Sequence, residues 1–317
     1  MQENVMTGEE ERKIGIITDV QRYSLCDGPG IRTTVFLKGC RMGCKWCHNP
    51  EGHRRYPEVL PYTSNCTGCE KCLEVCPTGA ITLIEPTVPR IDRTRCITCL
   101  QCVEVCAYDA LVCWGRIVTA KEVIDEVEQD IVFFKNSGGG MTVSGGEPLA
   151  QPEFTLALFK CARKRGISTA LDTCGYNKWE LLEPILEWTD FVLFDIKHMD
   201  PQAHKDYCGT NNELILENAR RIADKGIKMR IRIPIIPGRN DSEENLRNTA
   251  DFIEQQLDKN NVIVGVDLLP YHPYAGAKYR LFGLDYPFPQ GEGYPEEKLA
   301  QMVDLFVDRG FDVTVGG

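Results

Sequence analysis

The chain has 317 residues, 43% of them hydrophobic and 26% charged, which is typical of a folded protein with one large domain or a core plus an insertion. Its net charge of −10 disfavours nucleic-acid binding. The polar N-terminal segment and the lack of a long apolar run argue against secretion and membrane insertion. We therefore expect a cytoplasmic protein with no nucleic-acid or membrane partner, whose 16 cysteines bind metal in preference to forming disulfides.

The predicted elements alternate between strands and helices. The first strand is predicted over residues 31–39, and from residue 117 onward apolar strands alternate with amphipathic helices. This alternation is typical of a parallel sheet covered by helices. With about six βα units, the chain falls short of the closed eight-unit barrel. We therefore predict an α/β fold that forms a partial, open parallel β/α barrel.

Residues 53–115 interrupt this rhythm, because they are rich in Cys, Pro, Gly and Thr and contain only short apolar pieces. They are interpreted as a small inserted α+β domain. The core is then predicted over residues 14–52 and 116–317. Residues 1–13 are predicted to form a disordered tail.

Two copies of one cysteine spacing occur in the insertion, C-x2-C-x2-C-x3-C. This is the spacing of bacterial 4Fe–4S ferredoxins, in which the fourth cysteine binds the other cluster. One predicted set is Cys66, Cys69, Cys72 and Cys106, and the other is Cys96, Cys99, Cys102 and Cys76. Structural zinc sites are the alternative, but a zinc module needs one four-ligand group, whereas here eight cysteines repeat one spacing. The insertion is therefore predicted to be ferredoxin-like and held together by two clusters.

A separate triplet, Cys40, Cys44 and Cys47, follows the first predicted strand, where α/β folds place their ligand sites. Three thiolates can hold three irons of a cubane and leave the fourth iron free, as a catalytic metal site keeps one position open. The alternative is a zinc site completed by His48 or His53.

The triplet resembles the signature of the radical S-adenosylmethionine (SAM) superfamily, and SGGEP at 144–148 looks like its glycine-rich motif. Six segments resemble, in order, the activating enzymes of glycyl radical enzymes: CDGPGIRTTVFLKGC, CKWCHNPEG, LDTCG, FDIKHMD, IRIPIIPG and LLPYH. The resemblance covers about residues 14 to 317. The two-cluster insertion is similar to the branches of that family other than the pyruvate formate-lyase branch.

The resemblance implies that the protein holds three 4Fe–4S clusters, cleaves SAM reductively and takes a hydrogen atom from one glycine of a partner glycyl radical enzyme. The partners of this branch include isethionate, sulfopropanediol, choline, benzylsuccinate and hydroxyproline lyases or synthases. Flavodoxin or ferredoxin is the expected electron donor, and the protein is expected to be a monomer. Two alternatives stay open: a radical SAM enzyme acting on a small molecule or another peptide, and a ferredoxin-like electron carrier. The carrier would leave the triplet and SGGEP without a role.

The resemblance also implies roles for individual residues. The catalytic residues would be Cys40, Cys44, Cys47 and Asp27, of which Asp27 would meet the glycine loop of the partner. The SAM-binding residues would be Trp46, Cys47, His48, Gly145, Gly146, Glu147, Asp195, Ile196, Lys197, Arg232 and His272. A monovalent cation would bind Asp172 and Thr173, together with Asp195. The other cysteines are interpreted as ordinary thiols: Cys26, Cys113, Cys161, Cys174 and Cys208.

Overall fold

The structure, a computed structural model, describes residues 8–272, 275–286, 288 and 294–316. The strands are β1 (Ile14–Ser24), β2 (Arg32–Leu37), β3 (Glu58–Pro61), β4 (Ile81–Leu83), β5 (Pro89–Ile91), β6 (Leu111–Trp114), β7 (Arg116–Thr119), β8 (Gly140–Gly145), β9 (Ser168–Thr173), β10 (Phe191–Asp195), β11 (Lys228–Ile235), β12 (Ile263–Pro270) and β13 (Val313–Val315). The α-helices are α1 (Lys71–Glu74), α2 (Gln101–Glu104), α3 (Ala120–Val127), α4 (Ile131–Ser137), α5 (Pro152–Lys164), α6 (Trp179–Leu186), α7 (Pro201–Cys208), α8 (Glu213–Asp224), α9 (Glu243–Phe252), α10 (Ala275–Leu281) and α11 (Glu296–Val307).

Nine strands form one sheet in the order β13-β12-β11-β10-β9-β8-β2-β1-β7. The neighbours from β2 to β13 are parallel, whereas β1 and β7 form an antiparallel edge. In the described ranges the two outer strands, β7 and β13, do not pair with each other, so the sheet stays open. The predicted α/β fold with a parallel sheet is therefore confirmed.

The strand β1 precedes the strand predicted to come first, so that prediction is wrong. Residues of β1 alternate irregularly between buried and exposed, because the strand lies near the edge of the sheet. It therefore lacks the continuous apolar run by which the inner strands were recognised.

Side chains at the helix ends fix the loops that follow the strands. Thr119 and Glu122 form a capping box at the start of α3. The Asp200 carboxylate accepts a hydrogen bond from the Ala203 N–H at 2.7 Å, which begins α7 directly after the loop that carries Lys197.

A helix suited to crossing a membrane, which needs a long apolar stretch, is not found among the described residues.

The parallel sheet has one apolar face and one face that carries many polar side chains, because successive side chains of a strand point to opposite sides. Val143, Leu171 and Phe194 are fully buried in the main hydrophobic core. Their neighbours Ser144 and Asp172 point to the other face and meet there, with a hydrogen bond of 2.6 Å between them. Polar groups from several strands thus converge on one side of the sheet.

Residues 53–115 build a small unit of their own. β3 pairs with β6 and β4 pairs with β5, both antiparallel. Its core is made by Val59, Ile81, Cys102 and Leu111. These elements have the α+β character predicted for the insertion, while its boundaries stay a prediction.

A buried ion pair joins this unit to the core. Lys38 follows β2 and has no solvent exposure, and its Nζ donates to Glu58 Oε2 at 2.8 Å and to the Glu51 carbonyl at 2.6 Å. Arg54 binds the other oxygen of Glu58 at 3.1 Å. Burial lowers the pKa of Lys38, and Glu58 opposes this shift. The start of β3 is therefore fixed against the end of β2.

The tail predicted for residues 1–13 is ordered where the structure describes it. Residues 8–11 are helical, and the Glu10 carboxylate pairs with Lys160 at 2.9 Å and with Lys164 at 3.3 Å. For residues 8–13 the prediction is wrong, because these two lysines of α5 bind the segment. Residues 1–7 lie outside the described residues.

Candidate functional site

The cysteine triplet lies in a loop that begins directly after β2. Backbone hydrogen bonds hold the loop from two sides: Cys40 N–H donates to the His53 carbonyl at 3.0 Å, and Gly43 N–H donates to the Cys208 carbonyl at 2.8 Å. Cys40, Cys44 and Cys47 all line one cavity of about 380 Å³. This size lies within the roughly 300–1,000 Å³ typical of small-molecule sites.

The environments of the three thiols shift their pKa values in different directions. Burial raises the pKa of Cys40 and of Cys47 to about 12. The Cys208 thiol donates a hydrogen bond to Cys44, which lowers the pKa of Cys44 and raises that of Cys208. A buried thiol with a raised pKa ionises readily only beside a positive group such as a metal ion.

His48 and His53, the candidates for a fourth zinc ligand, also line the cavity. Burial lowers the pKa of both imidazoles, which favours their neutral form. Throughout the described part of the chain, no three His, Cys, Asp or Glu side chains are close enough together to hold a single metal ion.

The glycine motif forms the wall next to the triplet. Gly145 has a φ of +113°, and a Cβ there would lie 2.3 Å from the Leu37 backbone nitrogen. A Cβ on Gly146 would lie 2.5 Å from the Gly39 carbonyl oxygen. Only glycine fits this close backbone packing, which brings the end of β8 against the cysteine loop.

Glu147 completes the motif and is almost fully buried in the cavity wall. Its Oε1 accepts from the Thr173 hydroxyl at 2.5 Å, and its Oε2 accepts from the Cys174 thiol at 2.9 Å and the Cys174 N–H at 3.0 Å. Burial raises the pKa of Glu147, and these donors limit the shift. The carboxylate is therefore held rigidly at the ends of β8 and β9.

Two ion pairs stand near the carboxyl ends of β9 and β10, and one of them includes Arg232 from the middle of β11. Lys197 Nζ donates to Asp195 at 2.7 Å, and Arg232 Nη1 donates to Asp172 at 3.1 Å. Burial and the neighbouring Asp195 raise the pKa of Asp172 to about 6, against the opposing effect of Arg232. Although burial lowers the pKa of Lys197, the Asp195 carboxylate raises it well above its usual value. These four side chains line the cavity with the triplet.

Aromatic and imidazole groups enclose the triplet on a third side. Trp46 is buried with its ring 6.0 Å from that of Tyr207, and the rings of His48 and Tyr271 are also 6.0 Å apart. His272 lines the same cavity. All three predicted residues of this group, Trp46, His48 and His272, are therefore brought to the site.

Asp27 does not line the cavity. It lies in the turn before β2, at the polar face of the sheet. Its Oδ2 accepts from the Ser24 hydroxyl at 2.5 Å and the Thr34 hydroxyl at 2.7 Å. It is still close enough to contribute to the raised pKa of Asp172. The buried Arg32 guanidinium holds the turn by donating to the Pro29 carbonyl at 3.1 Å.

Ile196 is the predicted SAM-binding residue that the structure does not bring to the cavity. Its side chain is buried in the main core, and its N–H donates to the Arg232 carbonyl at 2.9 Å. As the residue after the last position of β10, it points to the apolar face, whereas Asp195 and Lys197 on either side of it line the cavity.

The insertion brings its eight cysteines together in two groups. One small cavity is lined by Cys76, Cys96, Cys99 and Cys102, and a second is lined by Cys66, Cys69, Cys72 and Cys106. Each group thus takes its fourth thiol from the other run, as the spacing predicts. Four thiols around one space suit a polynuclear cluster, in which each iron takes one thiolate.

Sequence reasoning interpreted Cys174 and Cys208 as ordinary thiols and named Cys174 as a neighbour of the site, but it missed the side-chain contacts of both. Cys174 lines the cavity and binds Glu147, and Cys208 binds Cys44. The position of Cys174 directly after β9 was the available signal, since polar strand ends form the site. Nothing in the sequence near Cys208 indicates its contact with a residue more than 150 positions away.

Two family models match the chain. A model of the radical SAM superfamily matches residues 101–252, and a model of the 4Fe-4S dicluster domain matches residues 65–110. The second range lies inside the insertion and contains all eight of its paired cysteines.

Several relatives are similar over nearly their whole length. The isethionate sulfite-lyase activating enzyme of Oleidesulfovibrio alaskensis is 43% identical, over 94% of this chain and 96% of the relative. The choline trimethylamine-lyase activating enzyme of the same organism is 41% identical, over 90% and 91%. The benzylsuccinate synthase activating enzyme of Thauera aromatica is 39% identical, over 96% and 93%.

Among solved structures, QueE from Escherichia coli is similar with a TM-score of 0.50 and 11% identity, over 99% of this chain and 97% of that chain. At this identity the likeness concerns the fold alone.

Proposed function

The chain belongs to the activating enzymes of glycyl radical enzymes, within the radical SAM superfamily, and we propose that it activates a partner glycyl radical enzyme of the type its relatives serve. Further relatives are named for (2S)-3-sulfopropanediol dehydratase and trans-4-hydroxy-L-proline dehydratase. The partner is therefore a lyase, dehydratase or synthase outside the pyruvate formate-lyase branch. The observation that carries the proposal is that the triplet, the glycine motif and the strand-end ion pairs line one cavity.

The cavity contains suitable groups for the methionine end of SAM. Cys40, Cys44 and Cys47 would hold a 4Fe–4S cluster, which would bind the amino and carboxylate groups of SAM. Gly145 and Gly146 expose backbone at the wall, so a ligand can approach it closely. The nearby Glu147 carboxylate is an acceptor for the ammonium group.

The two ion pairs suit the remaining parts of SAM. Asp195 and Lys197 would reach its carboxylate and ribose region, and His272 would line the same pocket. Arg232 also supports SAM binding in this pocket, because its Nε is buried and has no hydrogen-bond partner among the described residues. A buried donor of this kind is satisfied when a ligand oxygen binds it.

The chain positions the reactants and excludes water. When bound, the cluster supplies the electron that breaks the S–C5′ bond of SAM and yields methionine and a 5′-deoxyadenosyl radical. Buried Trp46 and the neighbouring His48 would shield this carbon from solvent. The hydrogen atom then moves from a glycine Cα to C5′, and a glycine is suited to this because no side chain covers its Cα. Asp27, held by Ser24 and Thr34, would meet the glycine loop.

The proposed cofactors are three 4Fe–4S clusters and a monovalent cation. The surroundings of Asp172 suit a cation: burial is the main cause of its raised pKa, the Asp195 and Asp27 carboxylates add to the shift, and a positive ion would offset both effects. The Thr173 hydroxyl donates to Glu147, so the carboxylates of Asp172 and Asp195 would provide the main attraction for the cation.

The insertion would receive electrons from flavodoxin or ferredoxin and pass them to the core. Cys69 of one set and Cys99 of the other are exposed, which gives a donor protein access to both. We propose that the protein acts as a monomer.

The test is a reaction with SAM, a reductant and each candidate partner enzyme in turn. Formation of 5′-deoxyadenosine should accompany a glycyl radical signal in the electron paramagnetic resonance (EPR) spectrum of one partner. The matched control is Cys44→Ala, which should give neither product, and a partner with its glycine replaced by alanine should give no radical.

Formation of 5′-deoxyadenosine without a radical in any partner would favour a small-molecule or other peptide substrate. No 5′-deoxyadenosine in the wild type would contradict the proposed reaction altogether.

A further inference from the structure

The ribbon formed by β3 and β6 connects the insertion to the catalytic loop. At its base Glu58 lies opposite Trp114, and a Cβ on the next residue, Gly115, would lie 2.9 Å from Lys38 Cδ. Lys38 in turn pairs with Glu58 and stands two positions before Cys40. The base of the ribbon therefore lies against the loop that carries the triplet.

One cysteine set lies beside this base. The set is Cys76, Cys96, Cys99 and Cys102. Val59, which directly follows Glu58, lines the space between these four thiols. Arg93 donates to the Val59 carbonyl at 2.6 Å. Burial lowers the pKa of Arg93, while Glu58 and Cys96 both oppose the shift, so this half-buried guanidinium is near both the ion pair and a cluster thiol.

The other set lies at the far end of the ribbon. The set is Cys66, Cys69, Cys72 and Cys106. Ala110 and Leu111 line its cavity, and Leu111 lies opposite Pro61, the last residue of β3. Leu111 and Trp114 are the two ends of β6, and a strand rises ~3.3 Å per residue, so the ends are about 10 Å apart.

We propose that the two sets are not equivalent: Cys76, Cys96, Cys99 and Cys102 form an inner site next to the catalytic triplet, and Cys66, Cys69, Cys72 and Cys106 form an outer site. An electron that crosses the insertion therefore enters the core from the inner site. This inference rests on the proposed function, since the order matters only if all three cysteine groups hold clusters. Electron exchange weakens steeply with distance, so the inner site determines the rate of transfer to the core.

Two matched double variants test the order. Cys96→Ala with Cys99→Ala removes the first two ligands of the second run, and Cys66→Ala with Cys69→Ala removes the corresponding two of the first run. Two ligands are removed from each site so that no three-iron remnant is retained. Each variant should contain about eight irons, against about twelve in the whole protein.

The measurement is the microwave power that half-saturates the EPR signal of the reduced catalytic cluster with SAM bound. A nearby paramagnetic cluster speeds spin relaxation and raises this power. The power should fall several-fold in the inner-site variant and stay close to the wild-type value in the outer-site variant.

The reverse pattern, or the same power in all three proteins, would overturn the inference. If a double variant does not fold, the single variants Cys99→Ser and Cys69→Ser, which alter the spectrum of one cluster and retain it, identify the cluster that couples to the catalytic one. The SAM-induced change of the signal is recorded in the same samples. If the wild type shows no SAM-induced change, the proposed function is contradicted. If the change is present but the power falls in the outer-site variant and not in the inner-site variant, only the inference is contradicted.

Discussion

Replacing Glu58 with glutamine should lower the free energy of unfolding by about 3 kcal/mol. The side chains of Lys38 and Glu58 are 0% and 3% exposed, so water cannot solvate the ammonium group once its partner charge is removed. Loss of one partner of a buried pair costs roughly 3–5 kcal/mol. The lower end applies here, because glutamine keeps an acceptor oxygen and the Glu51 carbonyl still binds Lys38.

Anaerobic thermal unfolding of proteins with equal iron content measures the effect. A loss of 1 kcal/mol lowers Tm by roughly 2 °C in a large domain, so Glu58→Gln should lower it by about 6 °C. The matched control is Glu243→Gln, because the side chains of Glu243 and Arg247 are 68% and 54% exposed and such pairs contribute less than about 1 kcal/mol. The double variant Lys38→Met with Glu58→Leu should recover most of the loss, because no buried charge is then left without its partner, and the remaining partner of Glu58, Arg54, is 36% exposed and can be solvated. Equal Tm values for Glu58→Gln and Glu243→Gln would refute the reasoning.

Three further predictions concern the metal sites and the SAM pocket. Anaerobically reconstituted protein should contain about twelve irons per chain by colorimetric assay, and zinc or only about four irons would contradict the insertion assignment. Adding SAM should change the EPR signal of one reduced cluster alone, and Cys44→Ala should abolish this change; an unaltered response would mean that SAM binds elsewhere. Because burial raises the pKa of Asp172 to about 6, its carboxylate takes up a proton as the pH falls through that value and releases Arg232. SAM affinity, measured by equilibrium dialysis, should therefore fall below about pH 6 in the wild type, whereas Asp172→Asn should bind weakly with no such dependence.

Local spacing made the cysteine sites predictable from the sequence. In each ferredoxin run the cysteines are three or four positions apart, and the structure groups the thiols as that spacing predicts. The family resemblance implied the roles of Asp195 and Lys197, and their position at a strand end agrees with it, since parallel strands end at one edge of the sheet.

Features that depend on distant pairing were not predictable in the same way. Lysine is usually a surface residue, and only the contact of Lys38 with Glu58 explains why it is buried. Ile196 lies between two cavity residues, but alternation along the chain points it into the core. The contact of Cys208 with Cys44 depends on how α7 packs against the cysteine loop, which no local pattern encodes.

The walls of the catalytic cavity come from distant parts of the chain, and this imposes an order on biosynthesis. The triplet leaves the ribosome early, yet Tyr271 and other residues of its pocket are more than 200 positions further on. Both insertion sites, by contrast, draw their thiols from residues 66–106 alone. Contacts so far apart in sequence form late, because the loop between them must close first. A nascent chain halted before β12 thus contains every cysteine of the insertion sites, whereas the pocket around the triplet still lacks Tyr271 and the other residues of its last wall.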